Sequence, residues 1–422
     1  MQTGNASFSP DERPRDQLPI PMRILKVTQS YLPFVERGGQ PATVHSLARG
    51  LAARGHKVTV LTADLGLDDE TVRPIKAVRH NCGWSAKENG VDAVYLRVLG
   101  RYRAITWNPG ALRWCRDNIG SFDVVHIYGL YDWLGPVAAH VCHGRGVPYI
   151  LEPIGMYRPI VRNIPLKWVY RRLIGDRVVR HAQFLVATSE QERQELESGG
   201  IAPARVFIRR NGIDGPDAAP VPGAFRNQWH IAPDAKLVLF LGRVVRKKCP
   251  EAALEAFADW RGKNGRDRAG VLVIAGPYED ESYRGALESY AARLGLQDAV
   301  LFSGALHGGA KWAAYSDADV FVLPSQNENF GNAAGEAVAC GTPVLVTDTC
   351  GIAPLVKDRA GLVVPFDRVA FGKALAQLLD DDGLRGRLRA GCEEVGRAMA
   401  WDEPLGQMES LYSAAVTGAH PA

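Results

Sequence analysis

The sequence predicts two doubly wound α/β domains facing each other across a cleft, and three observations carry that expectation. At 422 residues the chain exceeds what one hydrophobic core usually organises, so two domains of about 150–200 residues are expected. Short apolar runs rich in β-branched residues alternate with helical stretches, which is the pattern of βαβ units and parallel sheets. The alternation breaks once, between Asn211 and Gly223, in a stretch dense in Gly, Pro, Asn and Asp that neither a helix nor a central strand accommodates. The first domain is therefore placed at residues 21–210 and the second at 211–401. A last helix, residues 402–416, is expected to pack back on the first domain.

Residues 1–20 are polar, Pro-bearing and without period, and read as a disordered leader. The strands expected in the first half are Ile24–Thr28, Val58–Thr62, Ala93–Val98, Val124–Tyr128, Tyr149–Leu151 and Phe184–Thr188. Those of the second half are Leu237–Leu241, Val271–Ala275, Val300–Ser303, Val320–Leu323 and Val344–Thr347. Each is apolar on both alternating faces, as a strand covered by helices on both sides should be.

Composition removes several other classes. The chain is 46% hydrophobic and 23% charged, an ordinary globular balance. Its net charge of +4 is too small and dispersed to demand nucleic acid. No apolar run approaches the ~20 residues of a membrane span. Seven scattered cysteines without a C-x-x-C spacing suggest neither a disulfide framework nor a structural zinc site. With no apolar signal segment near Met1, a cytoplasmic, reducing compartment is expected.

In open α/β sheets, ligands sit beyond the carboxyl ends of the strands, so the chemistry is sought in the loops that follow them. The loop after the first strand contains Gly38-Gly39-Gln40. Its paired glycines allow close backbone approach, and the following helix start favours an anion. After Leu241 comes Gly242-Arg243-Val244-Val245-Arg246-Lys247-Lys248-Cys249-Pro250. Four cations directly before a helix N-terminus are misplaced with respect to the macrodipole unless an anionic group binds there. Guanidinium, ammonium and helix end together suit a diphosphate.

The loop after Leu323 carries Glu328, and Glu336 follows in the helix that Gly341 stops. A retaining glycosidase needs its carboxyls ~5–5.5 Å apart. Eight residues of helix separate them by ~12 Å, so two binding tasks fit better than one acid–base couple. Glu336 suits the hydroxyls of a ribose and Glu328 a second sugar beyond the phosphates. His140, Cys142 and His143 lack partners at metal-site spacing and read as incidental.

These residues resemble a retaining glycosyltransferase of the GT-B fold, family 4, the glycosyl transferases group 1. The resemblance runs from about Arg23 to Tyr412. Its most specific part is S-x-x-E-x-F-G-N-x-x-x-E-A-x-A-x-G-x-P-V, from Ser325 to Val344. Arg243 and Lys248 match G-R-x-x-x-x-K, Asn211 to Asp214 match N-G-[IV]-D, and Gly38-Gly39 match the N-terminal glycine loop. The resemblance implies two Rossmann-like domains, with acceptor bound by the first and donor by the second. It implies that Arg243 and Lys248 bind and stabilise the donor diphosphate, that Glu336 holds the ribose and that Glu328 holds the transferred sugar. Backbone amides around Phe330, Gly331 and Asn332, together with Gly39, would touch the donor, and His126 would line the reaction centre. Cys249 stands where the family often has glycine.

The expected partners are a nucleotide-sugar donor and a saccharide or lipid-linked hydroxyl acceptor, with no nucleic acid, no cofactor and no metal. An anionic membrane surface is a further expected partner. That expectation comes from the basic stretch Tyr157–His181, where Trp168 and Tyr170 interleave with seven cations. Two rivals stand beside this reading: a nucleotide-sugar 2-epimerase and a non-catalytic nucleotide-sugar-binding protein.

Overall fold

All eleven expected strands form, with ends within two residues of the expected limits. The computed structural model describes residues 20–34, 39–74, 76–102, 105–157, 168–216, 218–262 and 269–419. The expected leader, apart from Ile20, lies outside these residues, as do Gly38 and residues 158–167 of the basic stretch.

The first domain holds β1 (Arg23–Val27), β2 (Lys57–Ala63), β3 (Val78–His80), β4 (Gly83–Glu88) and β5 (Val91–Leu96). A small ribbon, β6 (Gly100–Tyr102) and β7 (Ile105–Trp107), stands apart from the main sheet. The sheet is completed by β8 (Val124–Tyr128), β9 (Tyr149–Glu152), β10 (Phe184–Ala187) and β11 (Val206–Ile208). Its order is β11-β10-β9-β8-β1-β2-β5-β4-β3, parallel except for the β3–β4–β5 edge.

The second domain is an all-parallel sheet of β12 (Lys236–Leu241), β13 (Gly270–Ala275), β14 (Val300–Gly304), β15 (Val320–Leu323), β16 (Val344–Thr347) and β17 (Gly361–Val364). Its order is β14-β13-β12-β15-β16-β17. Leu237, Leu239 and Leu241 enter one core layer, while Val238 and Phe240 enter the other. That two-sided burial is why the strand reads as an unbroken apolar run.

Strand order reverses between β1 and β8 in the first sheet and between β12 and β15 in the second. Such switch points open a crevice at the strands' carboxyl ends. The loops that follow β12 and β15 are the two singled out above, so the fold brings both to one crevice.

The chain crosses between domains twice, and the two crossings are stitched together. The Ile213 amide donates to the Met399 carbonyl at 2.8 Å. A Cβ on Gly212 would lie 2.2 Å from the Trp401 ring, so only glycine fits there. Trp401 Nε1 donates to Asp214 at 3.0 Å, and Asp214 also accepts from Ser46 and pairs with Arg49 of the first domain. After this seam the helix Asp402–Thr417 buries Leu405, Met408, Leu411 and Tyr412 in the core of the first domain.

Candidate active site

The basic loop turns tightly because Gly242 has φ +142°, a backbone that L side chains rarely adopt. Its carbonyl lies 1.8 Å from where a Cβ on Gly276 would stand, so the β12 and β13 loops touch backbone to backbone. A short 3₁₀ turn, Arg246–Lys248, then buries the Lys248 side chain. Cys249 follows at φ +48°. The left-handed conformation explains what a glycine does at this position, and Cys249 adopts it despite its Cβ.

The second loop is tied to the first. The Gln326 amide donates to the Lys247 carbonyl at 2.9 Å, and Ser325 Oγ donates to the same carbonyl at 3.2 Å. Glu328 is fixed through its backbone, its amide donating to Thr349 and its carbonyl accepting from Gly351. Lys248 Nζ then lies 3.3 Å from Glu328 Oε2, with both side chains largely buried. Burial alone would raise the Glu328 pKa. Lys248, Lys247 and Arg243 outweigh it and hold the carboxyl below the usual glutamate range. Glu328 is therefore an ionised hydrogen-bond acceptor and not a proton donor.

Arg243 is exposed and forms no hydrogen bond or ion pair among the described residues. It thus projects its charge beside the Lys248–Glu328 pair, acting on Glu328 only through space. Gly331, at φ +102°, caps the helix Asn332–Ala339. No side chain caps this end, so its first amides stay open to an anion. The Phe330 side chain is buried in the core, which leaves only its backbone for a ligand. Asn332 reaches across the cleft, donating to Thr43 Oγ1 at 3.1 Å and accepting from Asn211 at 2.9 Å. Its amide also lies 2.9 Å from a Cβ built on Gly39, so a larger residue 39 would collide with it. Gly155 plays the same part against Asn329, whose side-chain amide occupies the space a Cβ would need.

Glu336 sits one turn inside the helix. Lys311 donates to its Oε1 at 3.0 Å and Tyr315 to its Oε2 at 2.9 Å. Burial and the neighbouring Glu336 carboxylate push the Tyr315 hydroxyl pKa well above its usual value. Lys311 and Tyr315 escaped the sequence reading. They lie four residues apart, which places them on one side of a helix, but nothing in that spacing names the facing carboxylate.

His126 requires a correction. It does not line the cleft: its side chain is fully buried within the first domain. Nδ1 meets the hydroxyls of Tyr412 at 2.8 Å and Tyr128 at 3.0 Å, and Nε2 lies 3.4 Å from Glu152. Arg209 donates to the same carboxylate at 2.7 Å, and Lys26 donates to Tyr128 at 2.7 Å. The last helix lays Tyr412 against this group and covers the histidine. Burial, reinforced by Lys26 and Arg209, lowers its pKa to about 4 against the opposing effect of Glu152.

Among the described residues, no three His, Cys, Asp or Glu side chains cluster to hold a metal ion, and no helix is long and apolar enough to cross a membrane. In the basic stretch, Arg171 is paired with Asp176 at 3.2 Å and stacked on Tyr157, while Trp168, Val169 and Leu173 are exposed.

Two doubly wound domains that close on one crevice, with a basic loop and a glutamate loop at a single switch point, are the GT-B architecture. Residues 38–212 match the glycosyl transferase 4-like domain, and residues 223–396 match glycosyl transferases group 1. A D-inositol 3-phosphate glycosyltransferase of Geodermatophilus obscurus is 30% identical over 424 residues, spanning 96% of this chain and 91% of that one. One from Streptomyces bingchenggensis is 33% identical over 406 residues, spanning 91% and 86%. Among solved structures, sucrose-phosphate synthase of Thermosynechococcus elongatus superposes with a TM-score of 0.72 at 21% identity, covering 94% of this chain and all of that one. Anabaena HepE in complex with UDP-glucose gives 0.73 at 16% identity, covering 93% and 100%. The chain belongs to the glycosyl transferases group 1 family and is a glycosyltransferase.

Proposed function

We propose that this glycosyltransferase moves a sugar, with retention, from a nucleoside diphosphate donor to a hydroxyl of a phosphorylated saccharide or polyol acceptor. The observation that carries the donor reading is the convergence of Arg243, Lys248 and the open Asn332 helix end on one crevice beside ionised Glu328. Diphosphate charge grows as the sugar departs. Cations already fixed in a crevice stabilise that transition state more than the ground state. On donor binding Lys248 exchanges part of its interaction with Glu328 for phosphate oxygen, and Glu328 is freed to accept from sugar hydroxyls. Glu336, oriented by Lys311 and Tyr315, accepts from the ribose. No carboxylate of this loop is a covalent nucleophile in this reading. The acceptor attacks from the face the diphosphate leaves, and the cations make a metal unnecessary.

The relatives named for a phosphorylated inositol support an acceptor that bears phosphate. We further propose a role in polysaccharide or glycolipid synthesis, and exposed Trp168, Val169 and Leu173 beside Arg172 suit a peripheral contact with an anionic membrane. A thermal-shift screen of nucleotide sugars identifies the donor, since a ligand at 100 times its Kd adds ~2.7 kcal/mol of stability. Incubating the selected donor with candidate acceptors then tests the rest. A product whose new linkage keeps the donor's anomeric configuration, formed equally in EDTA, is expected. Inversion, or loss of activity in EDTA restored by a divalent ion, overturns it. Epimerised donor with no transfer favours the 2-epimerase.

A further inference from the structure

The crevice at the first domain's own switch point holds a feature that the donor site does not use. The β6–β7 ribbon leaves the main sheet just after β5 and presents Tyr102, Ile105 and Trp107 to solvent, at 60%, 37% and 56% exposure. Trp133, 40% exposed, faces them from the loop after β8. Together with Gly100 and Thr106 they enclose a pocket of about 330 Å³. That is at the small end of the ~300–1,000 Å³ range of ligand clefts.

The pocket has the form of a slot. In the ribbon register Trp107 lies opposite Gly100. A large aromatic in that position commonly folds over the glycine. Here, among the described residues, nothing stands within 4 Å of a Cβ built on Gly100, so the indole leaves the space beside it open. The ribbon therefore exposes three large side chains, one of them beside a vacant cross-strand position, where burial of a pair would normally stabilise it.

Hydrogen bonds connect the slot to the donor crevice. Thr106, its inner wall, accepts from Gln29 Nε2 at 2.7 Å and donates to Asn108 at 2.6 Å. Among the described residues, Gln29 Oε1 is buried without a partner behind this wall. The preceding residue, Thr28, accepts from Gln40, which follows the Gly39 that meets Asn332 of the donor helix.

We propose that this slot is a saccharide subsite holding a pyranose ring of the acceptor next to the ring that receives the sugar. The proposal rests on the reading that the first domain binds the acceptor. A pyranose offers flat C–H faces to indole and phenol rings, and Trp107, Tyr102 and Trp133 present such rings here. An aromatic-walled slot at the carboxyl ends of the first domain's strands matches that chemistry. The acceptor is thereby assigned to the class of saccharides with at least two rings.

The test is saturation-transfer NMR on the full chain with maltose, cellobiose, lactose and α-mannobiose, alongside dodecyl maltoside. Expected is transfer to ring C–H protons of at least one disaccharide. That transfer should weaken about tenfold or more in Trp107→Ala/Trp133→Ala, the loss typical of an anchoring aromatic. Trp107→Phe should retain it, and melting temperature and nucleoside diphosphate binding should stay at wild-type values in both variants. Ring transfer that persists in the double variant, or is absent from every disaccharide with wild type, overturns the subsite. Transfer confined to dodecyl protons overturns it in favour of a lipid-tail site. Failure of wild type to bind any nucleotide would instead overturn the donor reading, so the two failures are distinguishable.

Discussion

Arg243 and Lys248 are both assigned to the donor diphosphate, yet the structure gives them opposite behaviour when removed. Arg243 is exposed and without a protein partner among the described residues. Truncation to alanine takes nothing from the free protein beyond a surface change of ~0.5 kcal/mol or less. For domains of this size that is a shift of only about 1–2 °C in Tm. Turnover should respond very differently. Losing one preorganised donor to developing charge costs ~2.7–4 kcal/mol, or about 10²–10³ in kcat/KM. Lys248 is the contrast, because it neutralises a largely buried Glu328 at 3.3 Å. Lys248→Met leaves that carboxylate without its nearest cation, which should cost stability toward the low end of the ~3–5 kcal/mol known for broken buried pairs. Steady-state kinetics with the donor found by thermal shift, together with melting curves of both variants, decides. Arg243→Ala with turnover within about threefold of wild type would refute the reasoning. So would a fall in its Tm equal to that of Lys248→Met.

Three further outcomes are expected. Glu336→Gln should weaken nucleoside diphosphate binding in calorimetry, since a charge-assisted acceptor becomes neutral; Glu328→Gln should spare that binding and reduce turnover with the sugar donor, and equal losses would show that the two carboxylates do not divide the donor. Buried His126 stays neutral down to about pH 4 in the folded chain, whereas the unfolded chain takes up its proton near pH 6.5. The unfolded state therefore binds more protons in that window and stability falls with pH, so wild type should lose about 3 kcal/mol relative to His126→Gln between pH 7 and pH 4 in urea denaturation. An unchanged difference would place the imidazole in contact with water. Sedimentation with anionic liposomes should exceed that with neutral ones and fade at 1 M salt, where the Debye length is ~3 Å; equal pelleting in both, with Arg172→Glu also unaffected, would remove the membrane contact.

What the sequence disclosed, and what it concealed, follows from how each signal is written. Strands buried on both faces, such as Leu237–Leu241, announce themselves as apolar runs. Val78–His80 and Gly100–Tyr102 are exposed throughout, so no hydrophobic period marks them. Gly361–Val364 is a short edge strand after a charged turn and was equally silent. The meeting of the Arg243–Lys248 loop with the Glu328 loop was legible, because cations before a helix start and a carboxylate in a strand-end loop are locally anomalous. The partners of Glu336 were not, since Lys311 and Tyr315 reach it through tertiary packing. His126 was misplaced for a related reason. A histidine ending an apolar strand looks the same whether it faces a crevice or a hydroxyl such as that of Tyr412, 286 residues away.

The helix Asp402–Thr417 gives the chain an order of assembly. As synthesis proceeds, residues 21–210 emerge first but lack a piece of their own interior, because Leu405, Met408, Leu411, Tyr412, Ala414 and Ala415 are the last of its core to leave the ribosome. Until then Lys26, His126 and Glu152 have no lid, and the apolar face awaiting Leu405 and Leu411 stays open. The second domain is an insert whose core is drawn from a continuous stretch. All of that core has been synthesised before the first domain can close. A ribosome stalled a few residues short of Asp402 would carry one finished domain and one exposed, aggregation-prone partner.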